Sequence, residues 1–481
     1  GQRDSDDSSL GDWTVDLRKL PSGLPDRDWH LLQLAGEWAR ETHVVDAPLV
    51  RGTRALRSQR GSSGHQQNPF ILLRRPATTE VSGEAIGMSL VYSGNFLAEV
   101  EVDPYDSARA RIGMDPESIS WRIEPAMDLQ VPEAVLVWSD EGLGGVSDTY
   151  HRLYRERLTT GIWRGRPRPV LLNSWEGVYY DFDEDAIVEM AAAAKDLGVE
   201  LFVLDDGWFG QRDSDDSSLG DWTVDLRKLP SGLPDLVSRV KDLGLLFGLW
   251  MEPEMVSPRS RLFDQHPEWA VGVTGRPRSE QRHQYVLDLS NPEVVDHLER
   301  VIGNVLSSAP IDYVKWDYNR VMTEPYGASL PPERQGEFFH RYMLGLYDLY
   351  SRLTERFPEI LFESCAGGGG RNDPGMLAFA AQVWTSDDTD AIERQRIQYG
   401  ASLVYPLSAL GAHVSAVPNH QVGRETPIVT RAAVAFFGNL GYELDPRTLD
   451  QAEADDVRAQ IAWYKERREL LHDGRFHRLR S

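Results

Sequence analysis

The sequence predicts an α/β fold, a (β/α)8 barrel preceded by a partial β-sandwich domain. After Pro169, apolar runs of five or six residues alternate with amphipathic helical stretches, eight units in about 270 residues, which is the arithmetic of a closed barrel. The runs are PVLLNSW, LFVLDDGW, LLFGLWMEP, DYVKWDYNR, ILFESC, AQVWTSD, GAHVSAV and AVAFFGN. Between Trp29 and Gly145 the pattern differs: short alternating stretches such as FILLRR and GMSLVYSGNFLAEVEV are broken by Gly, Pro and Ser, as antiparallel strands require. A doubly wound open sheet is the alternative for the second half, but the dinucleotide glycine fingerprint is missing after its first strand.

Residues Gly1 to Asp26 recur letter for letter as Gly210 to Asp235. Structural repeats drift and recur at least three times, so an unchanged pair reads as an assembly event. The second copy has a coherent setting, between a strand-like run and the helix-like LPDLVSRVKDLG, whereas the first runs abruptly into Arg27. Residues 1–26 are therefore expected to be a foreign or disordered terminus without native packing. The expected organisation is then residues 27–165 as a partial N-terminal β domain with a linker helix over Thr149–Thr159, residues 166–446 as the barrel, and residues 447–481 as a charged helix followed by the start of another strand.

With 51 Lys and Arg against 75 Asp and Glu, the formal charge of −24 opposes phosphate backbones and anionic lipid, so neither nucleic acid nor membrane is an expected partner. A neutral small-molecule substrate fits better. No run of eighteen apolar residues exists and the first residues are polar and Asp-rich, which reads as a soluble, unsecreted, cytoplasmic chain; a single cysteine, Cys365, is compatible with a reducing compartment. Fourteen Trp, several beside carboxylates, suit carbohydrate, whose C–H faces stack on rings while its hydroxyls seek charged acceptors. The twelve His show no metal-ligand spacing, so neither a metal nor a cofactor is expected.

Catalytic groups of a barrel sit at the C-terminal ends of its strands. Here those ends carry Trp175, Asp205 with Asp206, Trp250 with Glu252 and Glu254, Lys315 with Asp317, Cys365, Trp384 with Asp387, and His413. Any one could merely cap a helix; seven at one rim point to a site. Two carboxylates on different strands are the minimum equipment for cleaving a glycosidic bond. Lys315, two residues from Asp317, would keep that carboxylate ionised as a nucleophile must be. Asp388, Asp390 and the Trp384 ring would raise the pKa of Asp387, as a general acid requires. The same SDDTDAIERQ stretch also reads as a helix start, with Asp388 or Asp390 capping while Asp387 faces the pocket. Asp205 and Asp206 read either as a turn or as acceptors for adjacent sugar hydroxyls.

Taken together, NSWEG, LFVLDDGWFG, GLWMEPEMVSP, HPEW, LDLSNPEV, DYVKWDYNR, ESCAGGGGRND and WTSDDTDAIERQRIQYG resemble glycoside hydrolase family 36, the bacterial-type α-galactosidases, in order and spacing over about residues 27 to 481. The resemblance implies a retaining α-galactosidase acting on galactooligosaccharides such as melibiose and raffinose, with Asp317 as nucleophile and Asp387 as acid/base. It implies a galactose subsite built from Trp175, Asp205, Asp206, Trp250, Arg282, Lys315, Cys365, Gly368 and Trp384. Cys365 and Gly368 would lie near the 2-hydroxyl, where small residues permit close approach. Where the family often has Asn, this chain has Asp388, which would add charge beside the acid/base. Family members also carry a larger N-terminal β-sandwich and a C-terminal β domain, here represented by a second half and a stub, and they form a tetramer in which one subunit's N-terminal domain helps close another's site. Transglycosylation of the raffinose-synthase kind, an inactive sugar-binding fragment and α-N-acetylgalactosaminide cleavage are the alternatives.

Overall fold

Alternation of side chains across a strand decides how the first third packs. In the computed structural model, which describes residues 28–479 except residue 274 together with the backbone of Trp13–Asp16, the strands there are β1 (Trp13–Asp16), β2 (His30–Ala35), β3 (His43–Pro48), β4 (Gly52–Ser58), β5 (Gln67–Arg74), β6 (Ala85–Val91), β7 (Phe96–Val102), β8 (Ala108–Met114) and β9 (Glu133–Ser139). They form a four-stranded sheet ordered β1-β8-β7-β4 and a five-stranded sheet ordered β3-β2-β5-β6-β9. Central β5 is buried on both faces. Its Ile71 and Leu73 join Leu56, Val100 and Ile112 of the opposite sheet, whereas Phe70 and Leu72 join Tyr150, Val404 and Tyr405 from the helix Gly142–Leu153 and from the barrel. Period-two geometry thus lets this one strand contribute to both cores.

The four residues of β1 belong to the first copy of the repeated segment. Trp13 to Asp16 pair antiparallel with Ile112 to Arg109 of β8, so this part of the first copy is packed on a sheet edge; its other residues up to Asp26 lie outside the described residues. The same letters in the second copy, Trp222–Asp225, make only one bridge, Phe209 to Val224. A tetrapeptide of mixed propensity takes whichever backbone its surroundings offer.

The barrel strands are β10 (Leu171–Asn173), β11 (Leu201–Leu204) and β12 (Leu246–Met251), then, after a small antiparallel pair β13 (Met255–Val256) and β14 (Tyr285–Val286), β15 (Tyr313–Trp316), β16 (Leu361–Ser364), β17 (Gln382–Trp384), β18 (Leu410–Ser415) and β19 (Asn439–Glu443). Eight parallel strands close in the order β10-β11-β12-β15-β16-β17-β18-β19. Each is a short apolar run, continuous because helices cover the outside while side chains fill the inside. The helix Pro292–Ser308 exemplifies the cover. Asn291 caps it by accepting from Glu293 N, proline occupies its first turn, and Val294, Leu298, Ile302 and Val305 repeat on one buried face. Truncating Leu298 to Ala there would cost about 2–5 kcal/mol.

Two expectations are corrected here. The eighth strand is not AVAFFGN: Ile428–Ala435 is a helix and the strand begins at Asn439. Short apolar runs do not distinguish helix from strand by period alone, and Ala432 and Ala435 supply a buried helical face, while Phe436 stacks on Trp463 at 4.6 Å. At the far end, the helix Gln451–Asp473 starts with a capping box of Asp450 and Glu453, and residues 474–479 form no strand; Arg478 instead anchors on Glu80, Ser147 and Ser402. Among the described residues no helix is long and apolar enough to cross a membrane.

Candidate active site

Polar residues follow directly on the apolar strands, and closure of the barrel gathers them at one end. There a cavity of about 950 Å³ opens, lined by Trp175, Asp205, Asp206, Trp250, Arg282, Lys315, Asp317, Trp384 and Asp387 among others. Register explains the convergence: Trp250 lies opposite Lys315 across β12 and β15, and Asn173 opposite Glu443 across β10 and β19. Of the eleven residues that sequence singles out, nine line this cavity. Cys365 and Gly368 stand immediately behind it.

Asp317, one residue past β15, is buried and fully engaged. One carboxylate oxygen accepts from Trp250 Nε1 at 3.1 Å and Asn319 Nδ2 at 2.7 Å; the other accepts from the backbone N–H groups of Tyr318 at 2.8 Å and Gly367 at 3.2 Å. Burial pushes its pKa up, but the charge of Lys315, the Cys365 thiol, Arg282 and Asn319 outweigh burial and hold it below the usual carboxylate value. The side chain is therefore ionised and orientationally locked. Lys315 itself bonds Asp205 at 2.9 Å, so its influence on Asp317 is through space. Burial, reinforced by the charges of Asp317 and Asp387, drives the Cys365 thiol well above its ordinary value, leaving a protonated donor with no nucleophilic character.

Asp387, three residues past β17, is partly open to the cavity. Trp384 Nε1 donates to one of its oxygens at 3.1 Å and Trp38 Nε1 to the other at 2.9 Å, while Gln421 Nε2 donates to its backbone carbonyl at 2.6 Å. The carboxylates following it do not crowd it, contrary to the expectation from sequence. Asp388 is turned away onto Arg40 at 2.5 Å, and Asp390 caps the helix Ala391–Ala401 by accepting from Glu393 N. The extra charge of Asp388 is thus taken by a guanidinium rather than left beside Asp387.

One glycine-rich loop touches both acids. Gly367 donates its N–H to Asp317, and Gly368, at φ +76°, lies so close to the next strand that a Cβ there would stand 2.5 Å from Asp387 N and 2.8 Å from Glu41 Oε1. Only a residue without a side chain fits between them.

The opposite wall carries the tandem acids. Asp205 accepts from Asn173 at 2.7 Å and from Lys315; Asp206 accepts from Arg212 Nε at 2.6 Å and from the Tyr180 hydroxyl at 3.0 Å. Arg212 belongs to the second copy of the repeated segment, which places that copy in the architecture of the site. Arg282 reaches the mouth from a strained pair of residues, Arg282 at φ +52° and His283 at φ +54°. Trp175 is held edge-on by Tyr179 and Tyr180, each at 5.2 Å. Glu252 is raised to about 7 by burial and by the charge of Asp317, and Glu443 to about 7 chiefly by burial, with His413 bonded to it at 2.9 Å. Among the described residues no group of three or more metal-ligating side chains occurs.

Sequence reasoning passes over several residues of the site: Trp38, Glu41, Asn319, Gln421 and Glu443. Asn319 stands inside the KWDYN motif, where it could have been found, and Glu443 ends a strand that the apolar run before it does not delimit. Trp38 and Glu41 come from the N-terminal domain, more than three hundred residues from their partners, and no local pattern marks them.

The profile of the melibiase family matches residues 128–474, and that of the glycosyl hydrolase family 36 N-terminal domain matches residues 8–124. The chain belongs to the melibiase family. It is 56% identical to alpha-galactosidase AgaA of Geobacillus stearothermophilus over 97% of this chain and 64% of that protein, and 46% identical to alpha-galactosidase 1 of Pediococcus pentosaceus over 98% and 65%. The crystal structure of AgaA superposes with a TM-score of 0.95 at 55% identity, covering 97% of this chain and 64% of that one. A variant of AgaA solved in complex with raffinose superposes with the same TM-score at 54% identity and the same coverage. This melibiase-family chain therefore spans a little under two thirds of the length of these relatives.

Proposed function

We propose that this chain hydrolyses terminal α-linked galactose from oligosaccharides such as melibiose and raffinose, with retention at the anomeric carbon. The observation that carries the reading is the unequal treatment of two aspartates at one cavity: Asp317 is held ionised by five donors and a nearby ammonium, while Asp387 faces open space at the edge of the same cavity. A nucleophile needs the first environment, and a group that both gives and takes a proton needs access to leaving group and water.

In this reading Asp317 attacks C1 of galactose as Asp387 passes its proton to the departing glycosidic oxygen, leaving a galactosyl ester on Asp317. Asp387, now ionised, takes a proton from water; that water attacks C1, the ester breaks and Asp317 is restored. Asp205 and Asp206 accept hydrogen bonds from galactose hydroxyls on the far wall, with Lys315 and Arg212 holding the two acids in orientation. Trp250, Trp384 and Trp175 offer apolar faces to the ring, Arg282 closes the mouth, and Cys365 and Gly368 form the tight wall behind C2. A cavity near the upper end of the ~300–1,000 Å³ range of small-molecule sites leaves room beyond one hexose, which favours an oligosaccharide.

The test is turnover of p-nitrophenyl α-galactoside, with the α-glucoside and the α-N-acetylgalactosaminide as comparators and Asp317→Ala as control. Cleavage of the galactoside with α-galactose as first product by NMR is expected, lost by at least about 10³-fold in the variant. First-formed β-galactose, or an Asp317→Ala protein of undiminished activity, overturns it.

A further inference from the structure

Three residues of one turn in the N-terminal domain grip three consecutive residues of the barrel. Between β2 and β3, Trp38 donates to the Asp387 carboxylate at 2.9 Å, Arg40 pairs with Asp388 at 2.5 Å, and Glu41 accepts from Ser386 Oγ at 2.5 Å. Glu41 is 1% exposed. Its other oxygen lies 3.3 Å from Ala39 N and 3.4 Å from Gly369 N, so a single carboxylate joins its own turn, the glycine loop after β16 and the strand end that carries Asp387. Ser386 Oγ in turn accepts from Asp388 N at 3.0 Å, which makes a continuous chain from Glu41 around the Asp387 backbone. The turn is held in an unfavourable backbone, with Ala39 at φ +64° and Thr42 at φ +54°, and Thr42 Oγ1 is tied to Ile397 O at 2.7 Å. Strain of this kind persists only where the surroundings over-determine it.

We propose that Glu41 is a positioning residue for Asp387: it fixes the Ser386–Asp388 segment and the Trp38 indole together, so that the acid/base keeps its angle to the leaving-group oxygen. The proposal rests on the reading of Asp387 as acid/base. Glu41 does not face the cavity and touches no substrate; it acts through Ser386 and its own turn. The charged groups facing it are Asp387 and Arg394 from the barrel, while Arg40 of its own turn is engaged by Asp388 and Glu393. Burial, the largest influence, raises its carboxyl to about 7, and the Ser386 contact accommodates either protonation state because the hydroxyl both donates and accepts.

The consequence is selective. The kcat/KM of a retaining glycosidase covers events up to cleavage of the first bond, and only leaving groups that need a proton then depend on the acid. Melibiose has such a leaving group; α-galactosyl fluoride does not. Glu41→Ala is expected to lower kcat/KM on melibiose about 10- to 100-fold, while the fluoride stays within about threefold of the parent protein. Glu41→Gln, which still offers a carbonyl to Ser386, is expected to recover most of the loss. Asp387→Ala is the reference and should show the same selectivity more strongly. Equal losses on both substrates in Glu41→Ala, or no loss on melibiose, overturn the positioning role. Lack of selectivity in Asp387→Ala overturns the acid/base reading instead. If Glu41→Ala does not fold, Ser386→Ala cuts the same link and is judged by the same comparison.

Discussion

Gly368→Ala isolates the closeness of the glycine loop to Asp387. A Cβ built at this position stands 2.5 Å from Asp387 N and 3.0 Å from Ser386 C, both backbone atoms, and 2.8 Å from the Glu41 carboxylate. Ordinary contact begins at 3.4 Å, so about 0.9 Å must be found between two backbone segments, neither of which has a flexible end to swing away. The backbone at φ +76° adds about 1–2 kcal/mol of strain for any residue with a side chain. A displacement near 1 Å at a reacting group costs about 100-fold in rate, close to 2.7 kcal/mol of transition-state stabilisation. The assay is kcat/KM on melibiose alongside thermal unfolding. A folded variant of lower Tm with kcat/KM reduced about 100-fold is expected. A folded Gly368→Ala protein within about threefold of the parent on melibiose would refute the claim that this contact sets the position of Asp387.

Two further outcomes follow from the ionisation of buried groups. Removing the thiol donor in Cys365→Ala deprives Asp317 of one influence that lowers its pKa, so the acidic limb of the kcat/KM profile should move to higher pH, with a loss of about tenfold on that limb; an unmoved limb contradicts the thiol–carboxylate contact. Glu41 titrates at about 7 when folded against 4.5 for the free side chain, so between those values the folded state holds a proton that the unfolded state has released, and raising the pH through that window removes stability, up to roughly 3 kcal/mol. Glu41→Gln does not titrate, and its Tm relative to the parent should therefore rise steadily from pH 4.5 to 7 and be level below 4.5; a pH-independent difference contradicts the burial argument.

Much of the site is legible along the chain because the chemistry of a barrel follows its strands in order. Asp205, Asp317, Cys365 and Asp387 each come one to three residues after an apolar run, and closure of the eight strands converts that linear habit into one rim. Local pattern misleads where it is degenerate. Ala432 to Phe437 suits a helix or a strand equally, and only the Phe436 stack on Trp463 and the buried alanine face resolve it. Local charge misleads in the same way at Asp388 and Asp390, which look crowded in the chain yet point to Arg40 and to a helix N-terminus.

The barrel, its polar rim and the pair of aspartates are specified by the chain on its own, since apolar period, strand length and adjacency are local properties. Three-dimensional packing was needed to settle which donors lock Asp317 and that Asp387 sits between two tryptophans from different domains. It also makes one identical tetrapeptide a strand edge at Trp13–Asp16 and an irregular loop at Trp222–Asp225. Those outcomes depend on contacts between residues far apart in the chain, whose energies exceed the small conformational preferences of the segments themselves.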